Sequence, residues 1–146
     1  MITVEDVRTG EEFENFLAKL KPIFIKTNSF ADKKGTDFIC QGMRIQVKFD
    51  KTIEKSGNIW YEKLEKSKGK EDQKWRESPC NADLIIFGTR DKQKLKWYYI
   101  YKETIEKVCK KENMIKINVL GQGFTSKGFL LKINKDITPL ITRQYP

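Results

Sequence analysis

The apolar patterns along the chain predict an α/β (α+β) fold, a mixed central β-sheet flanked by helices. Three stretches carry that expectation. Phe13, Phe16, Leu17 and Leu20 recur at helical spacing on one face. Met43 to Asp50 alternates strictly: Met43, Ile45, Val47 and Phe49 point one way, Arg44, Gln46, Lys48 and Asp50 the other. Leu84-Ile85-Ile86-Phe87 is an unbroken apolar run, as in a strand covered on both faces.

Each element follows from its local signals. A helix is expected from Thr9 to Leu20, with Thr9 as N-cap, because Glu11 and Glu12 suit the positive end of the first turn and Pro22 cannot continue it. Ile23 to Phe30 reads as a strand, and Asp32-Lys33-Lys34-Gly35 as a turn. Thr36 to Gln41 and Met43 to Asp50 form a hairpin about Gly42. Ser56-Gly57 opens a strand over Asn58 to Leu64, and Ser67 to Glu77 is polar enough to read as a mobile surface loop. Asp83 to Thr89 pairs with Lys96 to Tyr101 across the charged turn Arg90 to Lys94. A helix over Glu103 to Lys111 turns Ile105, Val108 and Cys109 inward, and strands at Ile115 to Leu120 and Gly128 to Ile133 follow. No repeat or linker divides residues 1–146, so one domain is expected.

Composition narrows the chemistry. The 146 residues are 38% hydrophobic and 12% aromatic, which suits a folded core rather than a basic tail. No apolar run approaches the roughly 20 residues that span a bilayer, and the first residues lack a signal-peptide pattern. A cytoplasmic protein with no membrane partner is expected. Cys40, Cys80 and Cys109 are odd in number and widely spaced, so they read as reduced core residues and not as a disulfide framework or zinc site. Histidine is absent, which excludes Ser-His-Asp and Cys-His triads, histidine-ligated zinc and histidine general bases. Hydrolytic chemistry would fall to carboxylates, lysine and a hard metal ion. The 29 Lys+Arg against 20 Asp+Glu give a net charge of +9, which suits a phosphate backbone and also serves plain solubility.

The informative stretch is Gly35-Thr36-Asp37-Phe38-Ile39, followed by Ile45-Gln46-Val47-Lys48. Phosphodiester hydrolysis needs a metal ion to activate water and neutralise charge on phosphorus. Mg²⁺ takes oxygen ligands and keeps several waters, so one or two side chains on adjacent strands suffice. Gln46 and Lys48 share a face by their i, i+2 spacing, and Asp37 can reach them from the neighbouring strand. The Val47 carbonyl could add a ligand, and Lys48 would orient water or stabilise the transition state. Such a short pattern also arises by chance, and alternating polar residues commonly form a solvated face.

This pattern resembles the PD-(D/E)XK nuclease superfamily over roughly Thr9 to Thr89. The resemblance implies a restriction-endonuclease-like mixed sheet, Asp37 as metal-binding acid, Lys48 as catalytic lysine and Mg²⁺ or Mn²⁺ as the only cofactor. Gln46 stands where Glu or Asp is usual; a neutral oxygen there should weaken metal binding. Val47-Lys48-Phe49-Asp50, Ser56-Gly57-Asn58-Ile59-Trp60-Tyr61-Glu62 and Ala82-Asp83-Leu84-Ile85-Ile86 look like the spaced motifs of small phage and microbial members. That similarity implies Asp50 and Glu62 as auxiliary acids and Asp83 at the start of the next core strand. Phe87 and Gly88 stand where an aromatic pair is usual. A helix-borne glutamate often joins such sites; Glu14 and Glu12 are the candidates, each about 100° off the apolar stripe.

Lys51, Lys55, Lys63, Lys66, Lys68, Lys70, Lys74 and Arg76 flank the motif strand and would line a basic groove for DNA. Trp60 and Trp75 could stack on bases, although core burial is the commoner fate of a tryptophan. The expected function is therefore a metal-dependent deoxyribonuclease. Its small size favours structure-selective cleavage of junctions or branches, and a junction would favour a homodimer. The alternatives are a non-catalytic basic nucleic-acid-binding protein of the same fold and an interaction module of a larger complex.

Overall fold

A computed structural model of the chain describes residues 7–27, 35–67, 75–78, 80–119 and 124–145. The Phe13–Leu20 stripe lies on helix α1 (Gly10–Leu20), and Thr9 caps it as expected. Thr9 Oγ1 accepts from the Glu12 N–H at 3.2 Å and donates to Glu12 Oε1 at 3.0 Å, a reciprocal cap that ties Glu12 to the helix start. In chain order, the strands are β1 (Ile25–Lys26), β2 (Phe38–Cys40), β3 (Met43–Phe49), β4 (Asn58–Ser67), β5 (Arg76–Glu77), β6 (Leu84–Asp91), β7 (Lys94–Tyr101), β8 (Ile115–Val119), β9 (Phe124–Lys132) and β10 (Ile141–Tyr145). Helix α2 (Ile53–Ser56) follows β3, and α3 (Lys102–Val108) follows β7.

These strands form two sheets. The first has the order β1-β2-β3-β6-β7-β10, with β3 and β6 parallel and the remaining pairs antiparallel. The second, β5-β4-β9-β8, is antiparallel throughout. The chain between the parallel neighbours β3 and β6 passes through α2, β4 and β5, so two strands of the second sheet lie in their crossover, while its other two, β8 and β9, follow β7.

The apolar run of β6 explains the layering. Leu84 and Ile86 pack with Phe13, Phe16 and Leu17 of α1, Ile45 and Val47 of β3, and Trp97. Ile85 and Phe87 point the other way, into a core with Ile53, Ile59, Tyr61, Ile105, Phe129 and Leu131. The first sheet is thus filled on both faces, by α1 on one and by the second sheet with α2 and α3 on the other. Each buried aliphatic or aromatic side chain contributes about 1.5–3 kcal/mol, so the double cover is the main source of stability. Gly88 continues the face toward α1, where a Cβ would lie 2.3 Å from Phe13 Cε2; only a hydrogen fits.

The α+β class and most elements agree with the sequence reading; several boundaries do not. The first strand is Ile25–Lys26, shorter at its start than Ile23 to Phe30, because a turn follows the helix; residues 28–30 lie outside those described. The hairpin strand begins at Phe38, and its turn uses Gln41 and Gly42, both at positive φ (50° and 81°), as a two-residue hairpin requires. β4 runs on to Ser67, past the expected end at Leu64, by pairing with β9 through a register shift between Glu62 and Leu64. Within the expected loop from Ser67 to Glu77, Arg76–Glu77 is a strand paired with β4, while residues 68–74 lie outside those described. α3 stops at Val108, three residues before Lys111, and a 3₁₀ turn spans Lys111–Asn113. No helix among the described residues is long and apolar enough to cross a membrane.

Candidate functional site

Asp37 lies just before β2 and is held from two sides. Its N–H donates to the Ile45 carbonyl at 2.7 Å, and its own carbonyl accepts from the Thr27 N–H at 3.1 Å. With the backbone fixed, the carboxylate reaches β3, where Oδ2 accepts from the Val47 N–H at 2.6 Å. The side chain supplies an acceptor where the pairing of β2 has ended. Within a strand, the N–H and C=O of one residue point toward the same neighbour, so the Val47 carbonyl faces this edge as well.

Val47 sits between Gln46 and Lys48, and the parallel register decides where those two point. Gln46 pairs with Ile85 and Lys48 with Phe87, so both lie on the face toward the second sheet. Gln46 is only 8% exposed, and Lys48 is half-buried. The Thr36 hydroxyl, next to Asp37, donates to Asn81 Oδ1 on the segment leading into β6. Asp37 is therefore bonded to the β3 backbone at Val47, between Gln46 and Lys48, which share the face toward the second sheet.

The auxiliary acids have structural partners. Asp50 Oδ1 accepts from the Thr52 N–H (2.8 Å) and hydroxyl (2.7 Å), holding the turn into α2. Glu62 lies in the second sheet, where its oxygens accept from the Ser78 hydroxyl at 2.6 Å and from the Ser126 hydroxyl. Its neighbours Ile59 and Tyr61 face the first sheet, so by alternation Glu62 faces away from it. Glu14 is on α1, which packs against Ile45 and Val47, the face opposite Gln46 and Lys48. Glu12 is engaged in the cap.

The basic residues divide similarly. Lys51 and Lys55 are exposed around α2. Lys66, expected at the groove, is instead buried at 8% exposure, its ammonium 4.9 Å from the centre of the Trp75 ring. Lys127 lies 4.4 Å from the same ring, so Trp75 is a cation–π platform for two lysines. Arg76 pairs with Glu65 at 3.1 Å, and Lys63 with Glu106 at 2.8 Å. Lys68, Lys70 and Lys74 lie outside the described residues. Trp60 rests over Gly128, its Cζ2 3.0 Å from where a Cβ would stand.

Two polar clusters had no signal in the sequence because their members are far apart in the chain. Arg44 and Asp83 clasp the starts of β3 and β6. The guanidinium spans both carboxylate oxygens (3.2 and 3.0 Å), the Arg44 N–H donates to Asp83 Oδ2 at 2.9 Å, and the Asp83 N–H donates to the Arg44 carbonyl at 2.8 Å. These bonds hold the Asp83 carboxyl below the usual range. The second cluster centres on Glu106, which accepts from the Tyr61 hydroxyl at 2.6 Å and Lys63 Nζ at 2.8 Å. Burial alone would raise the Glu106 carboxyl, but bonds from Lys63 and Tyr61 outweigh it and hold it low. Burial, then Glu106, pushes the Tyr61 phenol up, and burial raises the Cys109 thiol to about 11.

Among the described residues, no group of three or more His, Cys, Asp or Glu side chains could hold a metal ion. The candidate oxygen donors here are instead one carboxylate, one amide oxygen and one backbone carbonyl. This all-oxygen set fits a hard divalent ion that keeps most of its shell as water, and it fits no soft metal. No family model matches the chain, and no curated protein or solved structure matches it.

Proposed function

We propose that the protein is a metal-dependent endonuclease that hydrolyses DNA phosphodiester bonds at Asp37, Gln46 and Lys48. The observation that carries this reading is the 2.6 Å bond from the Val47 N–H to Asp37 Oδ2, which fixes a carboxylate beside the residue between Gln46 and Lys48. Asp37, the Gln46 amide oxygen and the Val47 carbonyl would hold Mg²⁺ or Mn²⁺. Such an ion supplies charge neutralisation at phosphorus and a more acidic water. Lys48, half-buried on the same face as Gln46, keeps a positive charge close to the attacked phosphate and can hold the water by hydrogen bonding. The net charge of +9 attracts the polyanion from a distance.

One observation favours a second reading. Asp37 already serves as a backbone acceptor and Gln46 is buried, so both residues could be structural in a basic protein that binds nucleic acid without cutting it. The Asp37→Asn variant separates the two. Its amide oxygen still accepts from Val47, so the fold should hold, while the only charged metal ligand is gone. Supercoiled plasmid should be nicked by the native protein with Mg²⁺ or Mn²⁺, spared in EDTA, and spared by Asp37→Asn. Cleavage that survives the substitution would place the chemistry elsewhere, and no cleavage by the native protein would leave the binding reading.

A further inference from the structure

Asp37 stands one residue before β2, where ladder pairing ends and the backbone needs other anchors. Thr36, the residue before it, supplies two. Its carbonyl accepts from the Thr27 hydroxyl at 2.5 Å, and that hydroxyl also reaches the Asp37 carbonyl at 3.3 Å. Its own hydroxyl, on a residue only 2% exposed, donates to Asn81 Oδ1 from 45 positions away in the chain. Asn81 is held in turn by bonds before and after it. Ser78 donates its hydroxyl to Glu62 and its N–H to the Lys63 carbonyl at 3.0 Å. The Cys80 carbonyl accepts from Lys102 Nζ at 2.7 Å, and the Asp83 carbonyl from the Lys102 N–H at 3.0 Å. Arg44 then clasps Asp83 to the start of β3. The segment returning from the second sheet thus presents a fixed amide oxygen to the residue that precedes Asp37.

Resting on the nuclease reading, we infer that Asn81 is a positioning residue for the proposed metal-binding carboxylate, acting through the Thr36 hydroxyl. In this role neither Asn81 nor Thr36 touches the ion or the phosphate. The bond from the Val47 N–H fixes one oxygen of Asp37, which pins a point but not a direction. The anchors on Thr36 fix the backbone from which the side chain sets out, and so the angle at which the carboxylate meets the Gln46 amide and the Val47 carbonyl. A partner that orients a metal ligand is worth roughly 10- to 100-fold in metal affinity or activity. A buried hydroxyl that loses its acceptor also turns toward another, and the neighbouring peptide turns with it.

The test measures Mn²⁺ binding without DNA, from the electron paramagnetic resonance signal of the free ion, alongside thermal melts in EDTA. The proteins are native, Asp37→Asn, Thr36→Val, Thr36→Ser, Asn81→Ala, and Thr36→Val combined with Asn81→Ala. Thr36→Val keeps the shape of the side chain and loses only the hydroxyl. Asn81 lines a cavity of about 640 Å³ beside Arg44, Asp83 and Lys102, so Asn81→Ala widens existing space and leaves the core packed even if Thr36→Val does not fold. Each of these two substitutions should weaken Mn²⁺ roughly 10- to 100-fold. The double variant should be no worse than the weaker-binding single, since both break one bond. Thr36→Ser should bind the ion like native protein. A lower melting temperature with unchanged Mn²⁺ affinity makes the bond structural only and overturns the inference, as do losses that multiply in the double variant. If Asp37→Asn loses the ion while Thr36→Val and Asn81→Ala keep it, positioning fails and the nuclease site stands. If Asp37→Asn binds Mn²⁺ as native protein does, the site itself fails and the inference falls with it.

Discussion

Gln46 concentrates the conflict between structure and chemistry at the scale of one residue. A neutral amide is tolerable at 8% exposure, whereas a carboxylate there would be driven to protonate unless a cation faced it. Gln46→Glu should therefore be less stable than the native protein in EDTA and should gain more in melting temperature from Mn²⁺. It should also lower the metal concentration needed for cleavage. Equal shifts for both proteins would show that Gln46 does not contact the ion. Asp37, Gln46 and Lys48 were legible in the sequence because alternation fixes which strand residues share a face. The partners of Asp50 and Glu62 were not. A serine hydroxyl that takes up a carboxylate, such as Ser126 for Glu62, comes from a strand whose register depends on the whole second sheet. Lys66 shows the same gap, since composition marks a lysine as exposed and its contact with Trp75 arises only in the folded chain.

At the scale of elements, β6 was the clearest strand in the sequence, and its cover on both faces held. Its end carries a sharp test. Gly88→Ala forces the Phe13 ring, itself fully buried, to move away from a methyl that would stand 2.3 Å from it. Overpacking of this kind costs about 1–3 kcal/mol. Denaturation should show that loss, and Phe13→Leu in the same chain should recover part of it; additive losses would mean the two do not touch. Helix α3 makes a second test through Glu106. Its carboxyl is lower in the folded chain than in the unfolded one, so its contribution is complete above the ordinary glutamate range and disappears as pH falls through the depressed value. Urea midpoints of native and Glu106→Gln protein should differ near neutrality and converge in acid, whereas a gap constant with pH would deny Glu106 that role. Helix α2 and strand β10 escaped the sequence reading because both are short, and the five residues of β10 are all exposed, so neither has an apolar period to detect.

At the scale of the molecule, the first sheet joins two cores that share β6, β7 and no linker. Leu17→Ala in one core and Phe129→Ala in the other should each cost about 2–5 kcal/mol and move a single unfolding transition. Two separate transitions would mean that the second sheet unfolds alone. Nothing in the apolar pattern signals two sheets. Pattern assigns residues to strands but cannot say that β4 leaves the first sheet, because that choice is settled by its long pairing with β9.

That pairing also bears on how the chain reaches its native state. β3 can lie beside β6 only after the intervening segment has been folded back as a crossover, and β4 within that segment waits for β9, made much later during synthesis. Loop closure over such separations is entropically expensive, and chains dominated by non-local pairing fold in milliseconds to seconds. Until β9 emerges from the ribosome, the β4 segment lacks its long antiparallel partner, and Ile59 and Tyr61 lack the cover of Phe129 and Leu131. The nascent chain is thus most open to self-association while β4 waits, and its lysine-rich composition, whatever it does for nucleic acid, also keeps neighbouring nascent chains apart by charge.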